Sequence, residues 1–295
     1  MPTTPSPEPA VRDRYAAGAQ AVEPALCCPV DYDRSFLEII PQEVIDKDYG
    51  CGDPSKHVLE GETVLDLGSG TGKICFIASQ VVGAGGKVIG VDMTDDMLEV
   101  ARRNAPLVAE KTGFANVEFR KGRIQDLTLD LEKLDSALDG RSLGHAEGFF
   151  QAQDIANELR EKQPLIPDES IDAVVSNCVL NLVGNEEKAG LFRELYRVVK
   201  PSGRAVISDI VANENVPEKM QQDPELWSGC ISGAFREDLF IKAFEEAGFQ
   251  SVQVLSREES PWRVVEGIEF RSVTVAAFKG EATEGPYCAP GAGCC

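Results

Sequence analysis

Three glycines at alternate positions, Gly68, Gly70 and Gly72, follow directly on an apolar run and constrain the fold of this chain more than any other feature. The run Thr63–Leu67 predicts a strand, and the pattern that starts at Lys73 predicts a helix. Because glycine has no Cβ, a ligand is able to lie against the bare backbone of such a turn. The helix N-terminus adds free N–H groups and partial positive charge. The stretch therefore predicts a ligand-binding strand–turn–helix unit.

Strand and helix patterns alternate after this unit, which favours a parallel α/β sheet. The strand patterns cover Thr63–Leu67, Lys87–Val91, Val117–Lys121, Ile171–Ser176, Arg204–Asp209, Ser251–Leu255 and Ser272–Phe278. The main helix patterns cover Gly72–Val82, 95–108, Glu186–Val199 and Arg236–Ala247. Thr94 is expected to cap the second of these helices. The sequence thus predicts a seven-stranded, mostly parallel sheet.

Composition and the positions of Gly- and Pro-rich stretches divide the chain into four segments. They are an N-terminal arm and cysteine-bearing cap (1–57), the ligand-binding domain (58–212), a smaller C-terminal region with the closing strands (213–279), and a flexible, cysteine-rich tail (280–295). Residues 1–20 are expected to be a Pro-rich, solvated arm, followed by a short helix over Ser35–Ile45. Two further helices, over Leu129–Leu138 and Ala152–Lys162, are expected to form a solvated surface pair.

The balance of charge excludes several classes of partner. The 295 residues carry a formal net charge of −20, which argues against nucleic acid and against anionic membrane surfaces. No apolar run approaches the ~20 residues of a membrane helix, and the N-terminus has no apolar signal-peptide core. We therefore expect a cytoplasmic protein.

Cysteine is the unusual part of the composition. There are nine cysteines and two histidines, and the expected reducing compartment disfavours a structural disulfide framework. The cysteines are Cys27, Cys28, Cys51, Cys75, Cys178, Cys230, Cys288, Cys294 and Cys295. No CxxC pair or zinc spacing occurs. Buried thiols often act as small hydrophobic residues, and this is the expectation for Cys75; the others remain candidates for a shared site.

Two carboxylates narrow the choice of ligand for the Gly-rich turn. Asp66 lies in the end of the first strand, where it would repel a pyrophosphate but suit a ligand that carries a cation. Asp92 closes the second strand, where a carboxylate is able to accept from both hydroxyls of a ribose. This pattern resembles motif I and the following acidic motif of the class I S-adenosylmethionine-dependent methyltransferases. The alternative is a nucleotide-binding α/β fold of another kind.

The resemblance implies a Rossmann-like class I methyltransferase fold and a set of residues that contact S-adenosylmethionine. These are Asp66, Gly68, Ser69, Gly70, Asp92, Met93, Ile124, Asn177 and Val179. Many family members carry an acidic residue where Arg123 stands, so the usual contact to the adenine amino group is not expected at this position.

Three cysteine-bearing loops could cover the same end of the sheet. Cys178 follows the fourth strand, where α/β folds place their ligands. Cys51 lies in the loop Asp48–Gly52 before the first strand, and Cys230 lies in the loop Ser228–Gly233 after the fifth. Three converging thiolates form a soft site, which suits trivalent arsenic. Arsenic held by three sulfurs keeps a lone pair, and that lone pair can attack a sulfonium methyl group without a general base.

These loops resemble those of arsenite methyltransferases. The resemblance implies that Cys178 and Cys230 bind arsenic, that Cys51 takes part in a thiol relay, and that Tyr49 lies against the cofactor. It also implies that Cys27 or Cys28 joins Cys51 in a disulfide, which thioredoxin or glutathione then reduces. The C-terminal region becomes an arsenic-binding region, and the protein is expected to be a monomer.

Two alternatives stay open at this point. The chain could methylate oxygen, nitrogen or carbon of another small molecule, with Cys178 and Cys230 merely packed. It could instead sequester metalloids without consuming S-adenosylmethionine. The tail cysteines either capture arsenic and pass it inward or are dispensable.

Overall fold

The computed structural model describes residues 6–23, 30–141 and 143–280. Its helices are α1 (Glu8–Gln20), α2 (Arg34–Leu37), α3 (Gln42–Asp46), α4 (Lys73–Val82), α5 (Asp95–Thr112), α6 (Leu131–Leu138), α7 (Ala146–Lys162), α8 (Asn185–Val198), α9 (Glu218–Gln221), α10 (Pro224–Ser228) and α11 (Glu237–Ala247). Its strands are β1 (Thr63–Leu67), β2 (Lys87–Asp92), β3 (Val117–Lys121), β4 (Ile171–Asn177), β5 (Val199–Ala212), β6 (Phe235–Arg236), β7 (Ser251–Arg257), β8 (Arg263–Val265) and β9 (Ile268–Phe278). Short 3-10 helices cover Pro54–His57 and Leu180–Leu182.

The strands form one mixed sheet in the order β3-β2-β1-β4-β5-β9-β7. The first five of these strands are parallel, and β9 runs antiparallel to both β5 and β7. The seven predicted strands are all present, and two short strands, β6 and β8, pair with β5 and β9. The strand order reverses between β1 and β4, so the carboxyl ends of these two strands flank the switch point at which α/β sheets bind ligands.

Apolar side chains fill both faces of the sheet, as expected for parallel strands covered by helices on both sides. Successive residues of β1 point to opposite faces. Leu65 packs in the cluster that contains Phe192 and Phe244, whereas Val64 packs with Phe76. This packing fixes the register of β1 and with it the direction in which the Gly-rich turn leaves the sheet.

The prediction of a solvated arm over residues 1–20 is wrong from Glu8 onward. This segment is helix α1, which packs against α5 and α10 and buries Val11, Gly18 and Ala19. The apolar residues recur at helical spacing, and tertiary contacts stabilise a helix that has little intrinsic amphipathic signal.

Smaller differences concern the ends of elements. The helix expected over Ser35–Ile45 is two short helices, α2 and α3, because Pro41 disfavours helical geometry in the residue before it. Thr94 occupies the N-cap position of α5, but its side chain makes no capping hydrogen bond. Helices α6 and α7 pack on each other, and α7 buries only Gly148 and Ala156, in agreement with the predicted surface pair.

None of the described helices is both long enough and apolar enough to pass through a lipid bilayer.

Candidate active site

A cavity opens at the carboxyl ends of β1, β2 and β4. All ten residues predicted to contact the cofactor line it: Tyr49, Asp66, Gly68, Ser69, Gly70, Asp92, Met93, Ile124, Asn177 and Val179. Cys178 also lines this cavity. The structure therefore brings the Gly-rich turn and one of the predicted arsenic ligands to a common space.

The alternating glycines are required by the backbone of the turn. Gly68, Gly70 and Gly72 have φ values of 67°, 51° and 92°, in the left-handed region that other residues rarely adopt. A Cβ on Gly68 would lie 2.4 Å from Cγ1 of Val179, and one on Gly72 would lie 2.6 Å from Cζ of Phe119. The backbone conformation thus requires glycine at all three positions, and at Gly68 and Gly72 a side chain would also collide with its neighbours.

Asp66 is a buried carboxyl group at the floor of the cavity. Its side chain is 2% exposed, and burial raises its pKa to about 8. The Cys75 thiol donates to Asp66 Oδ2 over 3.2 Å, and within the described ranges no lysine or arginine forms an ion pair with Asp66. A ligand ammonium group would supply the missing counter-charge. Cys75 itself is fully buried, as predicted.

Asp92 and Ser69 offer polar atoms to a ligand with hydroxyl groups. Asp92 accepts from the Gly70 N–H over 2.9 Å and from the Thr94 N–H over 2.8 Å, which fixes the direction of its carboxylate. The Ser69 hydroxyl is buried and has no hydrogen-bond partner among the described residues. A buried polar atom of this kind is costly unless a ligand satisfies it. These side chains therefore fit S-adenosylmethionine. The Asp66 carboxylate suits its ammonium group, the Asp92 carboxylate suits its ribose, and the Ser69 hydroxyl is available for a further hydrogen bond.

Three thiols converge beside this cavity. Cys178 is in hydrogen-bonding contact with both Cys51 and Cys230, and these contacts together with burial raise its pKa. The Cys230 thiol donates to the Cys178 carbonyl over 3.3 Å. Burial likewise raises the pKa of Cys51. All three cysteines are at most 7% exposed, so the thiols are shielded from water.

Asn177 attaches the Cys51 loop to the end of β4. Its Oδ1 accepts from the backbone N–H groups of Cys51 and Gly52 over 2.8 and 3.0 Å, and its Nδ2 donates to the Gly52 carbonyl over 2.7 Å. A Cβ on Gly50 would lie 2.0 Å from Asn177 Nδ2, so the loop can approach this closely only with glycine there. These contacts place the Cys51 sulfur next to Cys178.

Asp209, in the second half of β5, holds the loop that carries Cys178. Its carboxylate is fully buried and accepts from the Leu180 N–H over 2.9 Å and from Asn181 Nδ2 over 2.8 Å. One of its oxygens and the Cys51 and Cys178 sulfurs all lie within 4.8 Å of one another. Burial raises the pKa of Asp209 to about 7.

Lys188 and Trp227 hold the loop that carries Cys230. Trp227 Nε1 donates to the Leu182 carbonyl over 3.1 Å, and the buried Lys188 ammonium donates to the Gly233 carbonyl. Burial lowers the pKa of Lys188 to about 7. A Cβ on Gly233 would lie 1.9 Å from the Asn181 carbonyl oxygen. The Cys178 and Cys230 loops are therefore interlocked.

Helix α1 forms a wall of the cavity that sequence reasoning missed. Glu8, Val11 and Tyr15 all line the cavity, and their spacing of three and four residues places them on one helix face. The side chain of Arg123 pairs with Glu8 and Glu187 across the rim of the cavity. Arg123 thus anchors α1 through an ion pair, whereas many family members carry an acidic residue at this position.

The remaining predicted site residues cannot be placed. Cys27, Cys28 and the tail cysteines Cys288, Cys294 and Cys295 lie outside the described residues.

Comparison with known proteins agrees with this geometry. A family model described as a methyltransferase domain matches residues 59–149 and 139–248. Arsenite methyltransferase from Halobacterium salinarum is 38% identical over 213 residues, which are 72% of this chain and 44% of that protein. Arsenite methyltransferase from Aquipseudomonas alcaligenes is 34% identical over 263 residues, which are 86% of this chain and 65% of that protein. The chain thus spans about half to two thirds of the length of these curated relatives.

A solved structure matches this chain over a larger share of its own length than these two relatives do. It is the crystal structure of CrArsM, an arsenic(III) S-adenosylmethionine methyltransferase from Chlamydomonas reinhardtii, with a TM-score of 0.65 and 31% sequence identity. The match covers 88% of this chain and 75% of that one.

Proposed function

The chain belongs to the arsenite methyltransferase family, and on this premise we propose that it transfers methyl groups from S-adenosylmethionine to trivalent arsenic, in arsenite and in methylarsenite. The observation that supports this most strongly is the contact of Cys178 with both other thiols while it also lines the cofactor cavity. The proposed role of the reaction is arsenic detoxification.

The first step is capture of arsenic by Cys51, Cys178 and Cys230. Each of these thiols exchanges its proton for a bond to arsenic. Each hydroxide that leaves arsenite takes up one of these protons and departs as water, so three thiols and arsenite give a neutral trithiolate and three waters. Soft sulfur donors favour such a thiophilic centre.

The second step is methyl transfer, for which S-adenosylmethionine supplies an electrophilic methyl group. Cys178 would hold arsenic at the wall of the cofactor cavity, and the arsenic lone pair would need no general base to attack the methyl group. Asp66 pairs with the ammonium group and Asp92 accepts from the ribose hydroxyls, which orients the donor. Positioning of this kind supplies much of the rate enhancement. Arsenic gains the methyl group and is formally oxidised from the trivalent to the pentavalent state, while the electron pair of the broken sulfur–methyl bond stays on sulfur and S-adenosylhomocysteine leaves.

The third step returns arsenic to the trivalent state. The thiol of the second cysteine loses its proton and attacks the arsenic-bound sulfur of the first, so that a disulfide forms, the arsenic–sulfur bond breaks and its electron pair stays on arsenic. We assign this role to Cys51 together with Cys27 or Cys28, and the disulfide is then reduced by thioredoxin or glutathione. These reductants are abundant in the cytoplasm, where we place the protein, and we propose that it works as a monomer.

The alternatives make different predictions about the thiols. If the cysteines were only packing residues of another methyltransferase, nothing would require their side chains to be in contact. Their sulfur atoms would then be expected more than about 7 Å apart. The contacts of Cys178 with Cys51 and Cys230 do not fit that expectation. A sequestering protein would bind arsenite without turnover.

The test is incubation with arsenite, S-adenosylmethionine and a thiol reductant, followed by chromatographic speciation of arsenic. We expect methylated arsenic, and no turnover from Cys178→Ser or Cys230→Ser. Cys75→Ser is the matched control: its hydroxyl still donates to Asp66, so arsenite binding should be unchanged. Arsenite binding without methylated arsenic would support sequestration, and absence of both would contradict the proposal.

A further inference from the structure

Tyr15 joins the thiol cluster to the cofactor cavity. It lies half-buried on the face of α1 that lines the cavity, and it packs against the buried cluster that contains Cys178 and Cys230, with its hydroxyl next to the Cys230 thiol. Its ring packs edge-on against Tyr49, with ring centroids 6.0 Å apart. Among the described residues it therefore contacts both a predicted arsenic ligand and a predicted cofactor contact.

The backbone of α1 is fixed on both sides of Tyr15. Arg14 Nη1 donates to the Glu225 carbonyl and to the Ser228 hydroxyl, each over 3.1 Å, in helix α10 just before Cys230. Toward the other end of α1, the Tyr49 hydroxyl donates to the Gly18 carbonyl over 3.0 Å. Because α1 is anchored to the thiol side and to the cofactor side, the Tyr15 ring has little freedom to move.

The Tyr15 hydroxyl stays protonated. Burial, followed by the negative charge that Cys230 and Cys178 can carry, raises the pKa of Tyr15. A neutral phenol is able to donate one hydrogen bond. In the arsenic-free protein Cys230 already donates its own proton to the Cys178 carbonyl. Once arsenic replaces that proton, the hydrogen bond to the Cys178 carbonyl is lost, whereas the Tyr15 hydroxyl is still able to donate to the Cys230 sulfur.

We propose that Tyr15 is a positioning residue for methyl transfer: its hydroxyl holds the Cys230 sulfur while its ring closes the cofactor cavity, so that bound arsenic presents its lone pair to that cavity. This inference rests on the proposed function. In a pyramidal trithiolate the lone pair points away from the three sulfurs. A displaced Cys230 sulfur therefore tilts the lone pair, and a misplacement of about 1 Å can cost a hundredfold in rate.

The test is Tyr15→Phe, which removes only the hydroxyl. We expect kcat to fall by about tenfold, the effect of one hydrogen bond of ~1.4 kcal/mol, while the KM for arsenite and the affinity for S-adenosylmethionine change less than about twofold. The matched control is Tyr196→Phe on α8, where the ring packs against Phe249 away from the cavity. This control should retain kcat. An unchanged kcat in Tyr15→Phe would overturn the proposal. A variant that lost donor affinity and thermal stability together with kcat would overturn it as well.

A second readout does not depend on turnover. In the arsenic-free protein, limited alkylation and peptide mass spectrometry give the ratio of Cys230 to Cys178 modification. We expect this ratio to rise at least threefold in Tyr15→Phe and to stay unchanged in Tyr196→Phe. If the wild-type chain made no methylated arsenic, the proposed function would fail, and this ratio would still decide whether Tyr15 restrains Cys230.

Discussion

At the scale of single residues, two of the three cysteines proposed to bind arsenic share an unusual backbone conformation. Cys178 and Cys230 have φ values of 63° and 62°, in the left-handed region. For a residue with a Cβ this costs roughly 1–2 kcal/mol. Such strain persists where the surrounding structure fixes it, often at functional sites. The hydrogen bonds of Asp209 and Lys188 to the two loops supply that restraint.

Asp66 is expected to make the unfolding free energy depend on pH. Its pKa is about 8 in the folded chain, against an ordinary value near 3.8. The folded state therefore holds this proton more tightly, and the associated stability is lost as pH rises from about 4 to about 8. We expect Asp66→Asn to raise the Tm of the ligand-free protein at pH 8 by about 3 °C, roughly what 1 kcal/mol produces. Thermal unfolding at pH 5 and pH 8 measures this, and an equal shift at both values would contradict it.

The same substitution should weaken binding of the methyl donor in a pH-dependent way. The Asp66 carboxylate is expected to pair with the ammonium group, so wild-type affinity should rise as pH increases from 6 to 8. Asp66→Asn should bind about tenfold more weakly at pH 8, the cost of losing a charged hydrogen bond, and the difference should shrink at pH 6. Calorimetric titration measures both values. If the ratio of the two affinities were the same at pH 6 and pH 8, this would argue against the role of Asp66.

Cys51 is expected to matter more for one substrate than for the other. If it belongs to the relay, Cys51→Ser should spare methylation of methylarsenite more than that of arsenite. Replacement of both Cys27 and Cys28 should have the same effect, since either one is assigned as the relay partner. Initial rates on the two substrates measure it, with Cys75→Ser as the control. Equal losses on both substrates would rule out the relay.

At the scale of elements, the site is an assembly of loops that leave the ends of neighbouring strands. Asp92 ends β2 and Asn177 ends β4, whereas Asp66 is the last residue but one of β1 and Asp209 lies beyond the middle of β5. The parallel pairing of these strands brings their ends to one edge of the sheet. One polar residue on each strand then orients the loop or the ligand beside it.

The interlock between the Cys178 and Cys230 loops should not tolerate a side chain at Gly233. Its Cβ would lie 1.9 Å from the Asn181 carbonyl oxygen, which is backbone and cannot swing away. We expect Gly233→Ala to destabilise the fold by ~2 kcal/mol or more and to lower arsenite affinity. Gly85→Ala is the control, because nothing lies within 4 Å of a Cβ there. Urea unfolding and arsenite titration report both effects; a variant as stable and active as the control would exclude the interlock.

The elements that sequence reasoning predicted well are those with strong local patterns. The strands of the sheet follow from short apolar runs, and the turn follows from three glycines. Helix α1 was missed because Pro-rich residues precede it and its apolar face is narrow, although Val11 and Tyr15 stand at helical spacing. Asp209 was missed as well; a lone carboxylate inside an apolar strand was the available signal. Its role depends on contacts with Asn181, which local patterns do not report.

At the scale of the whole molecule, one sheet holds both reactants at its switch point. The cofactor cavity occupies the ends of β1, β2 and β4, and the thiols lie beside it above β4 and β5. Helix α1 spans both regions. The fold class could be anticipated from the resemblance of the motifs, and the ten residues predicted to contact the cofactor line one cavity. The contacts of Cys178 with Cys51 and Cys230 needed the tertiary structure.

The most direct test of this account is a single turnover. Protein loaded with one equivalent of arsenite is mixed with methyl-labelled S-adenosylmethionine in the absence of added reductant, and arsenic speciation is measured against time. We expect one labelled methyl group on arsenic for each S-adenosylhomocysteine formed, and none in Cys178→Ser. Consumption of S-adenosylmethionine without labelled arsenic, or no consumption at all, would contradict the claim that the thiol cluster presents arsenic to the methyl donor.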